Sequence, residues 1–227
     1  MMPAIPRKYI VAIFMLMLLP ALAGVTAWPF MPDSVPVHWG MSGRPDRFGS
    51  PWELILTFVI LNPVLGALML VLPRLGPMKG NFERFGETYG RICVTLLAGM
   101  TVIAIALLMR GAGRNVPITS TLPITLGIML ALVGNWFGKI RRNFWVGIRT
   151  PWTLANERVW ERTHRLGGKL VVLYGLALAA AGAFLPQIGV FFVTVGGAIG
   201  LVAWSFIYSY MLYRRLGSVD DMAPSHQ

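Results

Sequence analysis

RNFWVGIRTPWTLANERVWERTHRLGG, from Arg142 to Gly168, is a basic, tryptophan-bearing stretch between two apolar blocks, Asn115 to Phe137 and Leu170 to Leu185. The contrast decides the fold. Both flanking blocks lack Asp, Glu, Lys and Arg, as do Tyr9 to Phe30, Leu54 to Leu72, Ile92 to Met109 and Ile188 to Tyr213. A bilayer core of about 30 Å is crossed by roughly 17 to 25 apolar residues in a helix. Only Leu170 to Leu185 falls short of that, and Lys169 can snorkel to the interface from its first turn. The expected fold class is all-α integral membrane, with six transmembrane helices.

Composition agrees. Of 227 residues, 56% are hydrophobic and 13% charged, against about 25% charged in soluble chains. The excess of 20 Lys and Arg over 9 Asp and Glu would suggest nucleic acid in a soluble protein. Here membrane topology accounts for it, and no direct nucleic-acid binding is expected. Cys93 is the single cysteine; it cannot form an internal disulfide and reads as a small buried apolar side chain.

With the N-terminus placed inside, only Arg44, Arg47, Arg110 and Arg114 lie outside, and every other Lys and Arg lies inside. The positive-inside rule then predicts a multi-pass membrane protein with both termini cytoplasmic and its basic loops against anionic membrane lipids. Arg7-Lys8 and the Ala21-Leu22-Ala23 triplet imitate a signal peptide and its cleavage site. The apolar stretch runs on to Phe30, which favours an uncleaved first helix.

The first outside loop, Met31 to Pro51, alternates Val35, Val37 and Trp39 before a Ser42-Gly43-Arg44-Pro45-Asp46 turn. It predicts a short hairpin-like cap, with His38, Trp39, Arg44 and Asp46 as candidate ligand contacts. Asn62-Pro63 falls in the middle of the second span and predicts a kink. Gly196-Gly197-Ala198-Ile199-Gly200 contains G-x-x-x-G and predicts close packing of the sixth span on the fifth. Residues 1–72 form a two-span module with outside loop 31–51, and 73–217 a four-span region with cytoplasmic loop 138–169. Residues 218–227 form a polar tail expected to be disordered.

Within the inner loop, Thr150-Pro151-Trp152-Thr153 marks a turn, and Thr153 or Asn156 suits an N-cap. Glu157 in the first turn, Arg162 and Arg165 in the last, and Gly167-Gly168 as a stop predict a short amphipathic cytoplasmic helix. Its Val159, Trp160 and Leu166 face would rest on the bilayer or on the ends of neighbouring spans, with Trp152 and Trp160 at headgroup depth. Glu161 and Arg165 would pair at i,i+4. The same stretch can be read as a solvated loop or as a docking surface presenting Arg142, Asn143, Arg149, Glu157 and His164.

Asn143-x-x-x-Gly147-Ile148-Arg149-Thr150-Pro151-Trp152-Thr153-Leu154, followed by Asn156-Glu157-x-x-Trp160-x-x-Thr163-His164-Arg165-x-Gly167-Gly168, resembles the signature of the SdpI-type immunity protein family. Pro32-x-x-Val35-Pro36-Val37-His38-Trp39 with Gly43-Arg44-Pro45-Asp46 resembles the module of unknown function that forms the N-terminal half of such proteins. The resemblance implies a bacterial plasma-membrane protein giving resistance to a secreted antimicrobial peptide toxin. It also implies, for some members, toxin-responsive signalling through a cytoplasmic transcriptional regulator.

Two other classes compete. A transporter of small molecules or peptides would place ionisable groups inside the membrane, yet all nine acids sit in loops, span edges or the tail. An enzyme would need a constellation that His38, His164, His226 and Cys93 do not supply, and neither H-E-x-x-H nor G-x-S-x-G occurs. No catalytic residue, metal or cofactor is expected.

Overall fold

The computed structural model describes residues 5–75 and 78–220. Nearly all of it is helix. Six helices are long and apolar enough to cross a membrane: α1 (Arg7–Ala27), α2 (Pro51–Val71), α3 (Gly86–Gly111), α4 (Ile118–Phe137), α6 (Glu157–Phe184) and α7 (Gln187–Asp220). A one-turn helix, α5 (Pro151–Ala155), precedes α6, and strands β1 (Val35–Trp39) and β2 (Pro45–Gly49) join α1 to α2. Described residues of the expected tail continue α7 to Asp220; 221–227 lie outside the described residues.

Helices α1, α2 and α3 pack on one another, α4 packs on α3 and α6, and α7 lies outermost against α6 and α5. One apolar cluster around Val35, Leu54, Phe58 and Leu108 closes the hairpin end. Another around Phe82, Tyr89, Leu97, Ile140 and Trp160 closes the opposite end, where the Arg142–Gly168 stretch sits.

The tightest pairing is α4 on α6. A Cβ on Gly168 would lie 2.7 Å from Gly134 O, one on Gly127 would lie 2.5 Å from Gly175 O, and one on Gly182 would lie 2.7 Å from Pro123 Cγ. Glycines seven residues apart on each helix thus bring the two backbones into contact. The expected use of G-x-x-x-G in α7 is not what the structure shows. Gly196 and Gly200 face open space, and it is Gly197 between them that lies against the Tyr174 ring of α6.

Pro20 and Pro63 lie inside the continuous helices α1 and α2, and side chains tie the two positions together. Pro20 has no N–H for the carbonyl of Leu16, four residues earlier. Thr101 Oγ1 donates to that carbonyl at 3.3 Å, and Asn62 Nδ2 approaches it at 3.4 Å and Thr101 Oγ1 at 3.0 Å. Asn62, fully buried beside Pro63, therefore ties three helices at mid-span.

Candidate functional site

At one end of the bundle, β1 and β2 pair antiparallel, with Trp39 opposite Pro45 and His38 opposite Arg47. Gly43 turns the chain at φ +76°, and a Cβ there would lie 2.7 Å from Gln187 Cγ and 2.9 Å from Thr119 Cγ2. The hairpin tip therefore lies over the first turns of α4 and α7, and glycine is needed both for the turn and for the fit. Arg47 Nη1 donates to Glu53 Oε1 at 2.6 Å, and Ser50 caps α2 through the Glu53 N–H. His38 Nδ1 lies 2.6 Å from Asp46 Oδ1, with both side chains more than half exposed. Arg44 is exposed and Trp39 half-buried. All four expected hairpin residues lie on this one two-stranded element, with Trp39 turned partly into the hairpin-end cluster.

The opposite end is built differently from expectation. Residues 157–166 do not form a separate amphipathic helix but are the first turns of the fifth long helix. Asn156 caps α6 by accepting from Arg158 N and Val159 N, and α6 then runs unbroken for 28 residues through Gly167-Gly168. Those glycines do not stop the helix, because each admits a neighbour. Gly168 meets α4, and a Cβ on Gly167 would lie 2.7 Å from Ile148 Cδ1 and 3.2 Å from the Trp204 ring. Close tertiary packing outweighs the weak helix propensity of the pair. The short helix that does occur is α5, with Thr150 as N-cap in a capping box with Thr153 and Pro151 in its first turn.

Trp160 is packed inside the protein rather than presented to a bilayer. It is fully buried, donates from Nε1 to Ile140 O at 2.8 Å, and stacks on His164 at 3.9 Å between ring centroids. His164 is equally buried and accepts from Ile148 N at Nε2, and Gly147, at φ +115°, leaves room where a Cβ would strike that nitrogen. Asn143 is fully buried and fully used. Its Nδ2 donates to Arg141 O and Val146 O, and its Oδ1 accepts from Trp145 N and Val146 N. Thr150 Oγ1 donates to Ser209 Oγ of α7 at 2.9 Å, and Trp152 lies edge-on to Phe206 and 5.0 Å from the Tyr210 ring.

The charged members of the motif face outward or bind the loop. Arg142 pairs with Glu157 at 3.0 Å and donates to Leu154 O, Arg149 donates to Phe144 O, and Arg165 is exposed beside Gly138. Glu161 pairs with Arg141 at 2.9 Å rather than with Arg165. Asn81 Nδ2 donates to Arg142 O, and Trp145 Nε1 to Leu75 O, so the loop before α3 interlocks with the loop before α5. Asn81, Trp145 and Ser209 were not singled out in the sequence, and only their polar or aromatic type near a span end could have flagged them. Among the described residues, no group of three or more His, Cys, Asp and Glu could hold a metal.

Residues 139–209, from Lys139 through the motif to Ser209, match the SdpI/YfhL protein family. This stretch is similar to the SdpI/YfhL family. Residues 15–62, from α1 through the hairpin to the Asn62 tie, match a domain of unknown function, DUF1648. Immunity protein SdpI of Bacillus subtilis (strain 168) is 25% identical over 211 residues, covering 92% of this chain and 98% of that protein. An uncharacterized protein of Archaeoglobus fulgidus is 35% identical over 72 residues, 32% of this chain and 37% of its own length. No solved structure matches. The chain is a multi-pass membrane protein similar to an immunity protein along nearly its whole length.

Proposed function

We propose that this chain is an immunity protein of the bacterial plasma membrane that protects against a secreted antimicrobial peptide toxin, acting by binding rather than catalysis. The observation that carries this reading is the similarity to Immunity protein SdpI over 92% of this chain and 98% of that one. Both termini are cytoplasmic and the hairpin is outside, in line with the distribution of Lys and Arg. In this reading residues 1–72 meet the toxin and 73–217 form the membrane-embedded SdpI-like region.

The toxin contact is the hairpin surface of His38, Trp39, Arg44 and Asp46. A hydrogen-bonded pair and an exposed arginine on one hairpin offer polar groups of both signs to an extracellular peptide. The buried motif residues Asn143, Thr150, Trp160 and His164 hold the inner end closed, and Arg149 and Glu157 present its charged rim. Toxin-responsive signalling to a cytoplasmic transcriptional regulator would leave from that rim.

The test compares toxin retained by intact sensitive cells, and their survival, at matched expression. His38→Ala and Asp46→Ala should lower both. Arg149→Ala and Glu157→Ala should leave retained toxin unchanged. Full protection and full retention in all four variants would remove both surfaces from the activity.

A further inference from the structure

Arg158, Arg162, Arg165 and Lys169 are all exposed and follow one another at 4-3-4 spacing along α6. At 100° and 1.5 Å per residue they fall within about 60° of arc over roughly 16 Å, a single ridge. The opposite face of the same turns carries the buried Trp160, Thr163, His164 and Gly167, so the ridge cannot turn inward. The two acids of these turns are drawn off it, Glu157 to Arg142 and Glu161 to Arg141. Among the described residues, no Asp or Glu lies within ion-pair distance of Arg162, Arg165 or Lys169. The backbone of Gly138 abuts Arg165, which brings the exposed Lys139 at the end of α4 to the same place.

We infer that this ridge binds the headgroups of anionic phospholipids. Its position favours lipid over an acidic protein. Lys169 is followed at once by the apolar run from Leu170, so the Arg165–Lys169 half lies at the level where hydrocarbon gives way to phosphate. Guanidinium groups take phosphate oxygens in pairs, and the adjacent lysines add point charge. Neutralising the acids from the loop side leaves Arg162, Arg165 and Lys169 as a positive edge with no described carboxylate beside it, which an anionic lipid surface satisfies. The inference stands apart from the immunity reading, since it needs neither toxin nor orientation.

The experiment uses the full chain purified in a neutral detergent. Phosphatidylglycerol and phosphatidylcholine are added in equal amounts, and bound lipids are counted by native mass spectrometry. The parent chain should retain phosphatidylglycerol in preference, and inorganic phosphate at the same concentration should not displace it. Arg162→Gln, Arg165→Gln and Lys169→Gln together should reduce that preference by at least about tenfold. Arg162→Lys with Arg165→Lys should largely keep it, and so should a control with Arg47→Gln, Arg110→Gln and Arg114→Gln at the hairpin end. Helix content by circular dichroism confirms that each variant is folded. An unchanged preference in the triple ridge variant, or an equal loss in the control, overturns the inference. Displacement by inorganic phosphate would make this an anion site without lipid selectivity. Binding of an acidic protein with no lipid preference would assign the ridge to a protein partner instead.

Discussion

His164 Nε2 accepts the backbone N–H of Ile148 at 2.9 Å, and Nδ1 of the same ring meets Trp160 O at 2.9 Å. The ring therefore spends one acceptor and one donor, as the neutral tautomer does. His164→Phe would keep an aromatic ring against Trp160 and Phe137 but leave the Ile148 N–H without its acceptor. The expected loss is about 1–3 kcal/mol, read as a lower melting temperature of the purified chain in detergent. A variant that melts with the parent would mean that this hydrogen bond does not hold the loop on α6.

Glycine position, not glycine content, separates the helices that touch from those that do not. Gly168→Ala would drive a methyl into the carbonyl of Gly134, a backbone atom that cannot swing away, at an expected cost of about 1–3 kcal/mol. Gly196→Ala and Gly200→Ala meet nothing within 4 Å and should be neutral or slightly stabilising through helix propensity. Thermal unfolding of the three variants side by side decides it, and equal losses would contradict the α4–α6 contact.

Trp160→Ala removes a fully buried indole and its bond to Ile140 O, an expected loss of about 3–5 kcal/mol. Trp152→Ala, half-buried against α7, should cost clearly less. Limited trypsin digestion on the motif side checks both: cleavage between Arg149 and Arg165 should accelerate strongly in the first variant and weakly in the second. Similar rates in the two would return Trp160 to the role of a surface anchor.

Side of the membrane is testable with single cysteines. In a Cys93→Ala background, Ser42→Cys at the hairpin should react with an impermeant thiol reagent on intact cells. Ser218→Cys should react only after lysis. Labelling of position 218 on intact cells would invert the arrangement.

The Asn62 tie offers a mid-membrane prediction. Asn62→Ala leaves Thr101 Oγ1 without a donor and removes the link between α2 and the Leu16 carbonyl that Pro20 frees. A loss of about 1–3 kcal/mol is expected. Thr101→Val should cost a similar amount, and the double variant less than the sum of the two, because the residues share one node. Strict additivity in a double-mutant cycle would mean that the node is not cooperative.

What was legible in the chain follows from local physics. Lengths of uncharged sequence mark six spans because a bilayer admits no other backbone arrangement of that length without unsatisfied polar groups. The Val35–Trp39 alternation with Gly43 marks the hairpin because period and turn chemistry are both local. Of the two caps the sequence offered, Asn156 serves and Thr153 does not, because Thr153 sits inside the short helix that Thr150 caps.

The amphipathic face of 157–166 was visible too, but what it lay against was not. Periodicity states that one side of a helix is apolar, and it does not distinguish a bilayer from a neighbouring helix. Gly167-Gly168 looked like a stop because glycine is a poor helix former, whereas in the fold it is the space through which α4 approaches.

By itself, then, the sequence determined the class, the number of spans and the basic motif between the fourth and fifth of them, since hydrophobic length and charge act residue by residue. Tertiary structure alone decided that Trp160, His164, Asn143 and Thr150 point inward as a closed, hydrogen-bonded plug. It also decided that the contact glycines are Gly134 and Gly168 rather than Gly196 and Gly200, and that Arg162, Arg165 and Lys169 have no ion-pair partner among the described residues. Each of these depends on which partner, distant in sequence, arrives at that point, and a contact between two helices is encoded in both of them at once.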